Sequence, residues 1–409
     1  MPEFSPFAGV RYAGEQASVA ALVAPPYDVV DEDEHSALEA AHPHNSVRLI
    51  LPRDEIREGD RYERAAATFA QWRAAGVLVT DGGPRFYAYR MEFTDRHGTR
   101  RHTRGVIGAL GLPETDSDDV LPHERTLPKA KSDRLALLRA MRVNVDPIWG
   151  LTLGAGFTQH LATARPLASC TDHDGVRHEL GAIDDAPTIS AIARTVANAP
   201  IVLADGHHRF ETAVNYRNEL RASGSNDAGA NAIMALVVEL VDDELYIEPI
   251  HRLIDAPAGT DVRERLADTF AVRDAGPITP DGVEALEQLM RAEHGLGIVD
   301  AGGLALAVPE PAARAAALAG EHPAVAATDA AVVEALVVPR LSDATWQYRH
   351  DAQSVAALVD KRAATAAVLC SAVSVAQTRA AAVDRVRMPQ KTTFFWPKPR
   401  TGMVFRTLD

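Results

Sequence analysis

One stretch, "IVLADGHHRFETAVNYRNEL" (residues 201–220), constrains the fold more than any other. It opens with an apolar run of strand type that stops at Asp205 and Gly206. Phe210, Ala213, Val214 and Leu220 then recur at helical spacing, so the segment reads as strand, short polar turn and helix. That order belongs to an α/β chain with mixed sheets.

Three readings fit the turn. A glycine at the head of a helix lets backbone N–H groups approach an anion, and the positive end of the helix dipole favours a phosphate there. Arg209 would add a forked set of donors, and His207 or His208 a donor or a proton shuttle. Asp205 would repel a bare phosphate, but it suits a site where a divalent cation such as Mg²⁺ bridges phosphates. Metal ligation is the second reading, because His208 and Glu211 share one helix face at i, i+3. In the third, Asp205 caps the helix and the histidines face solvent. Spacing alone does not choose among them.

At 409 residues the chain is too long for one ordinary core. No apolar run reaches the length of a membrane span, and the first residues lack the basic-then-apolar pattern of a signal peptide. The net charge of −14, without a basic stripe carrying aromatics, argues against a nucleic-acid partner. Cys170 and Cys370 are too few for a disulfide framework or a zinc site of their own. The expectation is a cytoplasmic protein with small-molecule partners, no nucleic acid and no membrane.

The basic residues are unevenly divided. Of 42, five are lysines (Lys129, Lys131, Lys361, Lys391 and Lys398), which leaves 37 arginines. Where arginine replaces lysine nearly everywhere, surviving lysines should be enriched at places that need a compact, movable ammonium. Two lie in "LPKAKS" and two in "QKTTFFWPKP". Lys129 and Lys131 reach phosphates in one reading and face water in another.

Along the chain, "YERAAATFAQWRAAG" has helical spacing, and "FYAYRMEF" with "TRGVIGAL" forms a hairpin around "DRHGTRR". The acidic, proline-bearing "LPETDSDDVLPHERTLP" marks the entry to a second domain, followed by a helix starting near Ser132 or Asp133. "NAIMALVVEL" and "ELYIEPIHRLI" read as strands, "DVRERLADTF" and "DGVEALEQLMRAE" as helices, and "GLGIVDAGGLALAVP" as a hairpin. The Ala-rich segment after it reads as helix. The last 23 residues carry too many prolines and aromatics for a helix, and a tail so apolar should dock on the body. Tyr27 and Asp28 in "PPYDVV", with Asn45 and Arg48 following, suit a structural turn and a ligand contact equally.

Four blocks carry a resemblance. "PPYDVV", "HPHNSVRLILP", "ADGHHRFETA" and the ending "MPQKTTFFWPKPRTGMVFR" together resemble the domain of unknown function 1015 family. More distantly, "PHE" (Pro122–Glu124), "DGHHR" (Asp205–Arg209) and "P-x-K-T-T" (Pro389, Lys391, Thr392, Thr393) occur in the order found in the free serine kinases of the ParB/sulfiredoxin-like superfamily. Those kinases move the β-phosphoryl group of ADP to serine, giving AMP and O-phosphoserine.

The resemblance implies a ParB/sulfiredoxin-like catalytic core over 116–256, an additional N-terminal α/β domain over 1–115, and a C-terminal α/β region over 257–409 with its tail on the core. It implies Glu124 as general base. Asp205, His207 and His208 would act beside it, with Asp205 also the candidate ligand of Mg²⁺. Gly206 and Arg209 would hold the phosphates of an adenine nucleotide, ADP or ATP, with Lys129 and Lys131 added as candidates from their place shortly after Glu124 in the sequence. Lys391, Thr392 and Thr393 would hold the amino acid or its phosphate. Phe394 and Phe395 stand where the kinases carry basic residues, which puts the substrate in question more than the phosphoryl chemistry. Sulfiredoxin chemistry is excluded, because "DGHHR" has no cysteine. The implied function is a nucleotide-dependent phosphotransferase on serine or O-phosphoserine, its direction open, with homodimerisation also open. The alternative is a nucleotide-binding regulatory protein without turnover.

Overall fold

The computed structural model describes residues 1–14, 17–55, 57, 60–114, 117–122, 131–225 and 227–409, without the side chains of Ala17, Pro122, Lys131 and Ser132. Its fold is mixed α/β, and its contacts divide it into two units. Among the described residues the first takes Met1–Pro122, 131–246 and Pro397–Asp409, and the second Ile247–Trp396.

The first unit is built on a ten-stranded sheet. Its middle is the expected hairpin, Phe86–Thr94 with Arg100–Gly111, in antiparallel register from Tyr87↔Ile107 to Thr94↔Arg100. Asp95 closes the turn by accepting from the N–H groups of His97 and Thr99, both at 2.9 Å. On one side follow Arg177–Ile183 and Arg165–Thr171, a hairpin with no counterpart in the sequence reading. On the other side Ala232–Glu239 pairs antiparallel with Arg100–Gly111 and parallel with Ile148–Thr152. Ile201–Asp205 then pairs antiparallel with Ile148–Thr152, and Val120–Pro122 closes that edge. Strands from both sides of residue 115 therefore share one sheet, and the seam expected there runs through continuous backbone pairing.

Ala232–Glu239 and Ile148–Thr152 are interior strands buried along almost their whole length, which explains their unbroken apolar runs. Helices Ala186–Ala197 and His207–Ala222 cover one face. Ile192, Val196, Phe210 and Ala213 pack there with Val106, Ile148, Ile201 and Ala235. Asp185 caps the first of these helices by accepting from the Thr188 N–H at 2.9 Å.

The tail docks on this unit. Thr401 exchanges backbone hydrogen bonds with Ala24 at 2.8 and 3.0 Å, and Phe405 does so with Val10 at 2.8 and 2.9 Å. The Ser46 hydroxyl donates to the Thr401 carbonyl at 3.0 Å, and the Arg400 N–H donates to the Tyr89 hydroxyl at 3.0 Å. Gly402 has φ +98°, and a Cβ there would lie 2.9 Å from Ser46, so this close approach needs glycine.

The second unit is a six-stranded antiparallel sheet. Its order is Phe270–Gly276, Gly303–Pro309, Leu296–Asp300, Ala366–Leu369, His251–Asp255 and Thr345–Arg349. Helices Pro280–Glu293 and Ala352–Asp360 cover one face through Leu286, Met290, Val355 and Val359. The Ala-rich segment covers the other as a chain of short helices, through Val325, Val332, Val333 and Val337. "DVRERLADTF" is expected to be one helix, but it yields only Val262–Leu266 before the strand starts at Phe270. Phe270 is buried beside Leu266 and Leu296, so tertiary packing overrides the local helical spacing.

Candidate functional site

The strand Ile201–Asp205 ends at a carboxylate, and helix His207–Ala222 starts two residues later. Gly206 joins them with φ +83°, a left-handed conformation that costs an L-residue free energy. A Cβ at Gly206 would also lie 2.9 Å from Ile148 Cγ2. Glycine is required here on both counts. The N-cap is Gly206, which has no side chain to cap with, so the reading of Asp205 as the cap gives way. His207 and His208 are half-buried in the first turn and do not stand out in solvent.

The Asp205 carboxylate turns to two cations. Its Oδ1 accepts from Lys398 Nζ at 2.5 Å and its Oδ2 from Arg209 Nη2 at 2.9 Å. Arg209 also donates through Nη1 to Asp146 Oδ2 and to the Pro147 carbonyl, each at 2.6 Å. Its side chain is only 10% exposed, and its Nε–H has no acceptor among the described residues. Burial pushes the Asp205 carboxyl up, but Lys398, Arg209 and His207 outweigh burial and hold it at about 2. Asp146 is different. Burial raises its pKa, and Arg209 and Arg134 offset that only in part.

Tyr27 of "PPYDVV" lies over the same cluster. The Arg134 guanidinium is 4.5 Å from its ring centroid and that of Arg209 is 5.9 Å away, both within cation–π range. Arg134 pairs with Asp133 and donates to the Ile50 carbonyl at 2.6 Å. The Tyr62 hydroxyl donates to Asp133 at 2.7 Å. The turn "PPYDVV" and the segment ending at Ile50 are thereby drawn to the Asp205 end of the sheet.

The structure thus gathers Asp205, Gly206, His207, His208 and Arg209 in the first unit, and adds Lys398, Asp146, Tyr27 and Arg134. Lys398 left a signal in the sequence, as one of five lysines in a chain that otherwise uses arginine. Asp146 left none. Lys391, Thr392 and Thr393 belong to the second unit. There the Thr392 hydroxyl donates to the Pro389 carbonyl at 2.6 Å, and Lys391 adopts φ +56°. Glu124 and Lys129 lie outside the described residues, as does the side chain of Lys131, which begins a helix.

A resident Mg²⁺ does not fit at Asp205. Both carboxylate oxygens already accept from cations, and an ammonium 2.5 Å away would repel a dication. The same holds for the oxygen of Asp146 that binds Arg209. Among the described residues no group of three or more His, Cys, Asp and Glu side chains is placed to hold a metal ion, which includes His208 and Glu211. Cys170 and Cys370 are buried free thiols, each pushed up to about 11 by burial. No helix of the described residues is long and apolar enough to cross a membrane.

The family described as protein of unknown function (DUF1015) matches residues 4–336. The chain belongs to that family. The match ends before "MPQKTTFFWPKPRTGMVFR", so Lys391 and Lys398 lie beyond it. No curated protein matches. Several solved structures are similar. A conserved hypothetical protein from Pyrococcus furiosus is 12% identical with a TM-score of 0.39, covering 74% of this chain and 95% of its own. A free serine kinase in complex with AMP is 14% identical with a TM-score of 0.37, covering 71% and 86%. SbnI with C-terminal truncation, from Staphylococcus aureus, is 12% identical with a TM-score of 0.38, covering 73% and 85%. Likenesses this low carry no argument about what the chain acts on.

Proposed function

We propose that this protein is a nucleotide-dependent phosphotransferase acting on free serine or O-phosphoserine, with the Asp205–Arg209 turn as its phosphate cradle. One observation carries the reading. The head of the sixteen-residue helix His207–Ala222 has a left-handed glycine as its N-cap, and beside it lie Lys398 and an Arg209 Nε–H without an acceptor among the described residues. The helix dipole and two cations favour a phosphoryl anion. The ordered blocks "PHE", "DGHHR" and "P-x-K-T-T" support the same reading from the sequence.

In this mechanism Asp205 is an anchor and not a base. A carboxyl held at about 2 is a poor proton acceptor, but it fixes Lys398 and Arg209 for the phosphates. Glu124 takes the proton of the serine hydroxyl as its oxygen bonds to phosphorus and the nucleotide oxygen leaves. Written from ADP, the products are AMP, O-phosphoserine and the proton on Glu124. The reverse direction uses the same groups. Any Mg²⁺ arriving on the nucleotide is part of the substrate.

Thermal-shift measurements with ADP, ATP, AMP, serine and O-phosphoserine, each with and without Mg²⁺, test the ligand class. A ligand at a hundred times its dissociation constant stabilises by about 2.7 kcal/mol. Joint shifts with an adenine nucleotide and serine or O-phosphoserine are expected, and silence across the panel sinks the reading. Glu124→Gln should keep nucleotide affinity and lose turnover by about 10²-fold or more. A wild type that binds nucleotide and never turns over would favour the regulatory alternative.

A further inference from the structure

The C-terminal tail is fastened to the ten-stranded sheet through a chain of buried side chains. The Arg400 N–H donates to the Tyr89 hydroxyl at 3.0 Å, that hydroxyl meets His178 Nδ1 at 3.0 Å, and His178 Nε2 meets Asp172 Oδ2 at 3.0 Å. The pairing of Leu180 with Tyr89 and of His178 with Met91 puts Tyr89 and His178 on one face of neighbouring strands. Tyr89 is 1% exposed and His178 is fully buried.

Each proton in this chain has one place. Burial pushes the Asp172 carboxyl up, but His178 and Arg400 outweigh burial and hold it below its ordinary value, so it is ionised. A carboxylate only accepts, so His178 Nε2 carries a hydrogen. A backbone N–H only donates, so the Tyr89 oxygen accepts from Arg400. The Tyr89 hydrogen then goes to Nδ1 of a neutral His178. A second proton on the imidazole breaks this order. Nδ1 becomes a donor aimed at the Tyr89 oxygen, and the hydroxyl hydrogen loses its acceptor.

The imidazolium would also stand beside the Arg400 guanidinium, which lies 3.7 Å from the same Asp172 oxygen. Burial and Arg400 oppose the charge while Asp172 and Asp174 favour it, and burial prevails, keeping the imidazole below its ordinary 6.5. Cys170 and Tyr89 are also raised by burial and stay neutral. From helix Glu32–Ala41, Glu34 acts on Arg400 through space, with Asp31, His173 and Asp174 around it.

Arg400 is two residues from Lys398, whose ammonium lies 2.5 Å from Asp205 Oδ1. Pro397 and Pro399 flank Lys398, and their fixed φ stiffens the stretch, so a displaced Arg400 carries Lys398 with it. Thr401 is held separately by Ala24 and Ser46, so the chain beyond stays docked. We infer that His178 is a proton-sensitive latch on the tail: neutral, it fastens Arg400 through Tyr89 and keeps Lys398 on Asp205, and protonated, it releases both. What this does to a ligand depends on the Asp205 turn being the phosphate cradle, whereas the latch depends on these hydrogen bonds alone.

Hydrogen exchange of the full chain without ligand tests it, read at single residues by electron-transfer fragmentation at pH 7.5 and 5.5 and corrected for the intrinsic rate at each pH. An imidazole held below 6.5 stabilises the closed tail above that pH, and the contribution is lost as pH falls toward the folded value. Protection of the Arg400 amide should fall by up to about tenfold between the two conditions. The Phe405 amide, bonded to the Val10 carbonyl, should keep its protection. His178→Gln should abolish the fall, and Tyr89→Phe should leave Arg400 poorly protected at both pH values. Equal Arg400 protection at both pH values in the wild type overturns the latch, as does a fall that survives in His178→Gln. Should His178→Gln not fold, Tyr89→Phe decides, and wild-type behaviour of Arg400 there overturns it too. Absence of phosphotransfer leaves these outcomes standing, so the two readings fail separately.

Discussion

The two clusters of buried charge are built on opposite plans. At the end of the strand Ile201–Asp205, cations and carboxylates alternate: Lys398, Asp205, Arg209, Asp146. At Tyr348, two cations share one aromatic ring and the buried one has only neutral acceptors. The first cluster holds itself together without a ligand. The second, Arg252 with Lys391, is held by two backbone carbonyls and a thiol on Arg252, with Asp329 acting on that guanidinium through space. Balanced charge fixes geometry in advance, whereas a buried charge held by neutral acceptors keeps more of its desolvation cost.

The largest expected effect tests the balanced side. Arg209→Met removes the one cation that touches both Asp146 and Asp205, leaving Asp146 buried without its ion pair. Breaking a buried pair from one side costs about 3–5 kcal/mol, and urea denaturation at pH 7 should show a loss of that size. A loss below about 1 kcal/mol would mean that the cluster is not the internally paired network described above.

That contrast was only partly legible in the sequence. The strand, glycine and helix around Gly206 could be read because a left-handed glycine between an apolar run and a helical repeat leaves few other folds. Lys398 was marked by the scarcity of lysine, yet no motif tied it to Asp205, because 193 residues separate them. Asp146 and Arg252 were hidden inside "VDPIWGL" and "IHRLI", where one charged residue in a short apolar run carries no signal of its own. The hairpin Arg165–Thr171 with Arg177–Ile183 escaped because a register shift between Pro166 and Ala168 breaks its alternation. The division of the chain followed the acidic, proline-bearing segment near 115, a cue to surface exposure that says nothing of whether the flanking strands pair.

A smaller effect sharpens the balanced side. Lys398→Met leaves Asp205 with Arg209 and His207, so its pKa should rise from about 2 toward the ordinary value of 3.8. A depressed carboxyl contributes stability that is present above its unfolded value and lost as pH falls through its folded one. The wild type should therefore exceed the variant by about 1–2 kcal/mol above pH 4, with the gap closing as pH approaches 2. Urea denaturation of both proteins at pH 7, 4 and 3 measures the gap. A gap that stays constant with pH would show that Lys398 contributes through packing and not through its charge on Asp205.

The smallest effect is expected where the charge is unbalanced. Arg252→Met takes donors from the Ile250 and Lys391 carbonyls, and an orphaned buried carbonyl costs about 1–3 kcal/mol. It also removes a buried charge that no described carboxylate pairs with directly, and replacing such a group with an apolar side chain of similar size is often neutral or stabilising. The two terms oppose each other, so stability to urea should change by less than about 1 kcal/mol. A loss above about 3 kcal/mol without ligand would instead make Arg252 a staple for the Lys391 turn, and the difference between the two clusters would reduce to one of packing.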